Sequence, residues 1–116
     1  MTPETTIKGH IKQYLRIKGW LVMHMLQGLG SYAGLSDLVA IKRGRVVWIE
    51  VKTPKGILSD RQKKFRKEIT EAGGEYIISR SLDDIMAWEK EQHERSKALS
   101  LAEEVGIGST SVEAGR

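Results

Sequence analysis

At 116 residues the chain is long enough for one hydrophobic core and too short for two. It has no cysteine, so a disulfide framework and a thiolate zinc site are excluded, and any metal ligands must be carboxylates, carbonyls or histidines. The formal net charge of +4 is unevenly spread: residues 1–67 carry 14 Lys and Arg against 4 Asp and Glu, and residues 68–116 carry 5 against 11. Basic surface on that scale points to a polyanionic partner, because Lys and Arg that neutralise phosphates release condensed counterions.

The opening MTPETTIKGH lacks the apolar run of a signal peptide, and no stretch approaches the length of a membrane span. A soluble cytoplasmic protein without a membrane partner is expected. Thr2 as N-cap and Pro3 at the first helical position predict a helix start, and Ile7, Ile11, Tyr14 and Leu15 recur at helical spacing up to Gly19. Glu4 lies at the end of this core-facing stripe, where it reads equally as a first-turn acid answering the helix dipole or as a ligand.

Trp20 to Met25 predicts a strand, and LQGLGSYAGLS a glycine-rich loop in which Gly28, Gly30 and Gly34 permit close backbone approach, as beside a phosphate. No Walker-type Lys-Ser/Thr follows, so no nucleotide cofactor is expected. His24 is weighed as a ligand or base against a structural role, which is the commoner fate of a lone strand histidine. Tyr32 either stacks on a base or packs.

Leu38 to Ile41 and Val46 to Val51 are rich in β-branched residues and flank Lys42-Arg43-Gly44-Arg45, which predicts a hairpin. A two- or four-residue loop centred on Arg43 and Gly44 places Asp37 opposite Glu50, with Lys52 following Glu50 onto the same face. Both faces of the hairpin are otherwise apolar, so the sheet needs cover on both sides. Two carboxylates and an ammonium thus meet at one end of a core element, and a divalent cation is the economical way to offset the like charges.

Beyond a loop with Pro54 and Gly56, Ser59-x-x-Gln62 is a capping box opening a second helix. Gln62 shares a stripe with Phe65, Ile69 and Ala72, so it also faces the sheet near Lys52. Arg61, Lys63, Lys64, Arg66 and Lys67 occupy the other faces and suit contact with phosphates. Gly73-Gly74 ends the helix, EYIIS at 75–79 is a last strand parallel to its partner, and Ser81-x-x-Asp84 caps a third helix with Leu82, Ile85 and Met86 toward the core. Residues 1–88 form the expected domain, 89–105 a polar helical extension and 106–116 a disordered tail.

An Asp at the head of one strand and Glu-Val-Lys late in the next resemble the PD-(D/E)XK nuclease signature, here Asp37 with Glu50-Val51-Lys52. Gly34-x-x-Asp37-Leu38, that tripeptide and Ser59-x-x-Gln62 are similar to the narrower VRR-NUC group of virus-type replication and repair nucleases, over about residues 4 to 80. Ser36 departs from the pattern, which usually has Pro before the Asp. The resemblance implies an α/β fold with a restriction-endonuclease-like core, α-β-β-β-α-β with helices flanking a mixed sheet. It implies a metal-dependent endonuclease hydrolysing DNA, with Asp37, Glu50, Lys52 and Gln62 catalytic. Glu4, Asp37, Glu50 and the Val51 carbonyl would hold Mg²⁺ or Mn²⁺, and Lys55, Arg61, Lys63, Lys64 and Lys67 would contact the nucleic acid. The group includes stand-alone proteins that act like Holliday-junction resolvases, which favours branched DNA and a homodimer. The alternative is a non-catalytic DNA-binding module that uses the same basic surface.

Overall fold

The computed structural model describes residues 2–26 and 32–104. The expected order of elements is present: α1 (Pro3–Ile17), β1 (Leu21–His24), β2 (Leu38–Lys42), β3 (Arg45–Val51), α2 (Asp60–Glu71), β4 (Glu75–Ser79) and α3 (Leu82–Glu104). The strands form one mixed sheet in the order β1-β2-β3-β4, antiparallel up to β3 and parallel between β3 and β4. A parallel pair needs a crossover, and α2 provides it.

Local chemistry fixes each boundary. Thr2 caps α1 by accepting from the Thr5 N–H, and Pro3 follows where its missing N–H costs nothing. At the other end the Gly19 N–H donates to Arg16 O and the Trp20 N–H to Leu15 O, the paired bonds of a Schellman closure. The same two bonds, from Gly73 to Thr70 and from Gly74 to Ile69, close α2. Ala72, expected on the buried stripe of α2, is exposed because it is already the C-cap.

The β2–β3 hairpin has the shorter of the two loops allowed by the sequence. Lys42 pairs with Arg45, which leaves only Arg43 and Gly44 between the strands, at φ 52° and 82°. Both values are positive, as a type I′ turn requires to match the strand twist. The register follows from that turn: Ile41 faces Val46, Val39 faces Trp48 and Leu38 faces Ile49.

One face of the sheet carries Leu38, Ala40, Val47, Ile49 and Val51, all fully buried. On the other, Phe65 of α2 meets Trp48 and Tyr76 edge to face, with ring centroids 5.6 and 6.1 Å apart. Helix α1, whose Ile11 and Leu15 are fully buried, contacts β1 and β3. One face is thus fully buried, as the apolar hairpin requires, whereas α2 covers the other only in part: Trp48 is half-buried, and Val46, with Leu21 and Met23 of β1 on the same face, is exposed.

The chain divides into two compact units, residues 1–85 and 86–116. The first holds the sheet, α1, α2 and the opening turn of α3, where Ile85 is fully buried. The second continues α3 to Glu104, with Leu99 and Leu101 exposed. Met86, expected in the core, is 40% exposed. The tail at 106–116 and the loop glycines Gly28 and Gly30 lie outside the described residues. Among the described residues no helix is long and apolar enough to cross a membrane.

Gly34 lies at φ 74°, and a Cβ built there would run into the backbone of Arg61 and Gln62. Close approach is required here, but against the first turn of α2. Gly9, in the middle of α1, has open space around it, and a helical Gly costs about 1 kcal/mol relative to Ala. Gly9→Ala should therefore raise the melting temperature, whereas Gly34→Ala should lower it by the equivalent of about 2 kcal/mol or more. Thermal denaturation of the two variants checks both signs.

Candidate active site

Asp37 stands one residue before β2, and Glu50 is the penultimate residue of β3, so the hairpin register brings them together. The Asp37 side chain replaces a strand pairing: its Oδ2 accepts from the Val51 N–H at 2.8 Å. Its other oxygen, Oδ1, lies 3.2 Å from Lys8 Nζ of α1. Ser36 just before it is fully buried and donates from Oγ to Leu38 O at 3.2 Å, which secures the turn into the strand.

Glu50 is only 2% exposed. Its Oε2 accepts from Gln62 Nε2 at 3.0 Å and lies 3.9 Å from Lys52 Nζ. Its Oε1 is buried without a hydrogen-bond partner among the described residues. Burial pushes the Glu50 carboxyl up to about 8; the charge of Asp37, and a hydrogen bond with Asp37 that only the protonated form can donate, act the same way. Lys52 opposes the shift and Glu4 adds slightly to it.

Gln62 serves two elements at once. Its Oε1 accepts from the Ser59 N–H at 2.8 Å, completing the capping box, while its Nε2 reaches Glu50. The structural and site roles weighed from the sequence thus use opposite ends of one amide. Lys52 is held at the strand end by its N–H, which donates to Ser79 O at 3.0 Å. The loop that follows is gathered by Arg80, whose Nη1 donates to Thr53 O at 2.8 Å and to Gly56 O at 2.5 Å.

The other expected residues fall less tightly. Glu4, half-buried on α1, contributes charge at Glu50, but no cluster of three or more His, Cys, Asp and Glu is present among the described residues. Lys55, Arg61, Lys63, Lys64, Arg66 and Lys67 are all exposed, as a phosphate-contacting surface needs. Tyr32 packs edge to face on Phe65 at 5.7 Å and donates to Glu68 Oε1 at 2.8 Å. His24 is exposed on β1, and burial together with Lys12 and Lys8 holds its imidazole below the usual range against the pull of Asp37.

Sequence reasoning missed Lys8, Arg80 and Tyr76. The Tyr76 hydroxyl is buried without a hydrogen-bond partner among the described residues, and burial followed by the charge of Glu50 raises its pKa. For Lys8 a signal existed: Lys8, Lys12 and Arg16 repeat every four residues along α1, on one side of the helix.

Together these groups suit a hard divalent cation. Mg²⁺ is held through one or two carboxylates while keeping several waters, and Asp37 with Glu50 is such a pair, with one oxygen buried and unsatisfied. A cation would also offset the burial and the charge of Asp37 that raise the Glu50 pKa.

Comparison with known proteins supports the fold. A solved structure titled "VRR_NUC domain" superposes with a TM-score of 0.69 at 21% identity, covering 78% of this chain and 97% of the other. The chain therefore has the fold that the sequence resemblance implied. No family model matches the sequence, nor does any curated protein.

The Glu50 shift makes metal-free stability depend on pH. A carboxyl whose folded pKa exceeds its unfolded value binds more protons in the native state, so stability is greatest below the unfolded value near 4.5 and falls as pH rises toward about 8. In EDTA the melting temperature should drop between pH 5 and pH 8. Glu50→Gln, which keeps an acceptor for Gln62, should flatten that drop and melt higher than wild type at pH 8. Equal slopes for the two proteins would show that Glu50 is not proton-coupled.

Proposed function

We propose that the chain is a metal-dependent endonuclease that hydrolyses DNA phosphodiester bonds. Its proposed substrate is branched DNA of the Holliday-junction kind and its proposed working form a homodimer. The observation that carries this reading is the buried Glu50 carboxylate, with one oxygen unsatisfied among the described residues, beside Asp37 and Lys52 at the end of a hairpin whose neighbouring residues are apolar. An ionisable group in such a place is costly to the fold, and buried groups with perturbed pKa values cluster at functional sites.

Asp37 and Glu50, with the Val51 carbonyl and Glu4 completing the set, would hold Mg²⁺ or Mn²⁺. The bound ion supplies a water of lowered pKa and neutralises charge on the phosphate. Lys52 keeps its ammonium beside Glu50, where it stabilises negative charge developing on phosphate oxygens. Gln62 fixes the Glu50 carboxylate through Nε2, and its own orientation is set by Ser59. The exposed cations Lys55, Arg61, Lys63, Lys64 and Lys67 bind the backbone of the DNA without reading its sequence. A non-catalytic DNA-binding module would use the same cations, but it leaves the buried Asp37–Glu50–Lys52 group without a role.

Incubation with labelled junction, flap, splayed and linear DNA, in Mg²⁺ or Mn²⁺ and with EDTA as control, tests the reading directly. Lys52→Ala should retain Mn²⁺ binding and lose cleavage by about 10²- to 10³-fold, the usual scale for removing one group that stabilises transition-state charge. Cleavage near the wild-type rate in that variant would overturn the assignment of Lys52.

Replacing Lys63, Lys64 and Lys67 together with Ala should reduce the slope of log K against log salt by about 0.9 for each phosphate that is no longer neutralised. An unchanged slope would place the DNA elsewhere on the molecule.

A further inference from the structure

Four carboxylate oxygens stand at the head of the hairpin, and their partners differ in kind. Asp37 Oδ2 is tied to the backbone of Val51, and Glu50 Oε2 to an amide that the α2 cap holds in place. Glu50 Oε1 has no hydrogen-bond partner among the described residues. Asp37 Oδ1 alone faces an ammonium brought by a different element, Lys8 of α1 at 3.2 Å. The Lys8 side chain is 22% exposed, against 14% for Lys52, and it reaches Asp37 on a flexible four-carbon stem.

Lys8 also heads a basic strip. Lys12 and Arg16 follow it at four-residue steps, and all three act electrostatically on His24 of β1. Arg16 is committed to Val22 O at 3.1 Å, whereas among the described residues Lys8 is held by the Asp37 carboxylate. A divalent ion on Asp37 and the Lys8 ammonium compete for the same charge, and the ion, with twice the charge and shorter contacts, wins.

We propose that Lys8 is the resident counter-ion of Asp37, that a divalent cation displaces it, and that the released ammonium joins Lys12 on α1 as a contact for the DNA backbone. The inference rests on the reading of Asp37 and Glu50 as a cation site in a DNA-cutting protein. It assigns the α1 strip as a second backbone-binding surface, distinct from α2, that acquires its leading charge only when the ion is bound. Metal and DNA are then coupled, and by linkage each strengthens binding of the other.

The test compares wild type with Lys8→Met, Lys8→Gln and the charge-conserving Lys8→Arg. Mn²⁺ affinity is measured by calorimetry without DNA, and affinity for a labelled duplex is measured across salt concentrations in Ca²⁺ and in EDTA. Removal of a partly exposed ion pair should tighten Mn²⁺ binding about two- to fivefold in the Met and Gln variants and leave the Arg variant near wild type. In Ca²⁺ the salt slope of those two variants should fall by about 0.9, and in EDTA it should not change, because there Lys8 is occupied with Asp37 in the wild type. The Gln variant decides the matter if the Met variant does not fold. Unchanged or weaker Mn²⁺ binding, or an equal fall in slope with and without Ca²⁺, overturns the proposal. A wild type that binds Mn²⁺ but cuts no DNA defeats the nuclease reading instead, while the Mn²⁺ titrations still decide the competition at Asp37.

Discussion

The constraint on which the site depends is the burial of one carboxylate, Glu50, on an inner strand of an apolar sheet. Taking a carboxylate out of water costs several kcal/mol unless donors or cations replace the lost solvent. Gln62 and Lys52 meet that demand at Oε2, and among the described residues no donor meets it at Oε1. Asp37 increases the demand, because a second carboxylate at the same end of the hairpin raises the cost of ionising the first. Within the protein alone the relief is a proton. A divalent cation would relieve the same strain and keep both carboxylates ionised, so the feature that burdens the metal-free fold is also the one that favours an ion.

Holding that arrangement occupies much of the surrounding structure. The two-residue turn at Arg43 and Gly44 sets the register that brings Asp37 to Glu50. The Ser59 cap fixes the start of α2, and with it the amide that reaches Glu50. Gly34 lets the chain entering β2 lie against the backbone of that same helical turn. The segment that delivers Asp37 and the helix that delivers Gln62 are therefore in direct contact, through Gly34 and through Tyr32 on Phe65 and Glu68. Arg80, just beyond β4, gathers the carbonyls of the loop after Lys52. Each site residue is thus placed by backbone or capping contacts, which are the stiffest a small domain has.

How much of this is legible in the sequence follows from the range of the interactions involved. The hairpin and its register can be read because alternation has a period of two and the turn residues lie between the strands, so local pattern suffices to pair Asp37 with Glu50. Gln62 can be read because a capping box spans four residues. The parallel return of β4 follows from the crossover. Lys8 cannot be paired with Asp37 in this way, since the contact depends on how α1 meets the sheet, and helical periodicity gives only the face on which Lys8 lies. Arg80 reads as a residue between a strand and a cap, yet its guanidinium works on a loop more than twenty residues earlier. Glycine in the β1–β2 loop signals close approach correctly at Gly34, but the neighbour is a helix turn and not a phosphate.

The uneven charge distribution acquires a local meaning from this geometry. Of the four acids in the basic half, Asp37 and Glu50 form the pair and Glu4 acts on it from α1, while Asp60 occupies the first turn of α2, where the helix dipole favours it. The pair is flanked by two ammonium groups of different character. Lys52 follows Glu50 by two residues, just past the end of β3, with its backbone N–H bonded to Ser79 O of β4, so its backbone is fixed beside the pair. Lys8 comes from a helix, is more exposed, and belongs to a row of cations that leads away along α1. One cation is built into the sheet and the other is borrowed from a neighbouring surface. A site meant only to neutralise one buried and one half-buried carboxylate would need no such difference, whereas one that exchanged its counter-ion for a metal would have to keep one cation and be able to release the other.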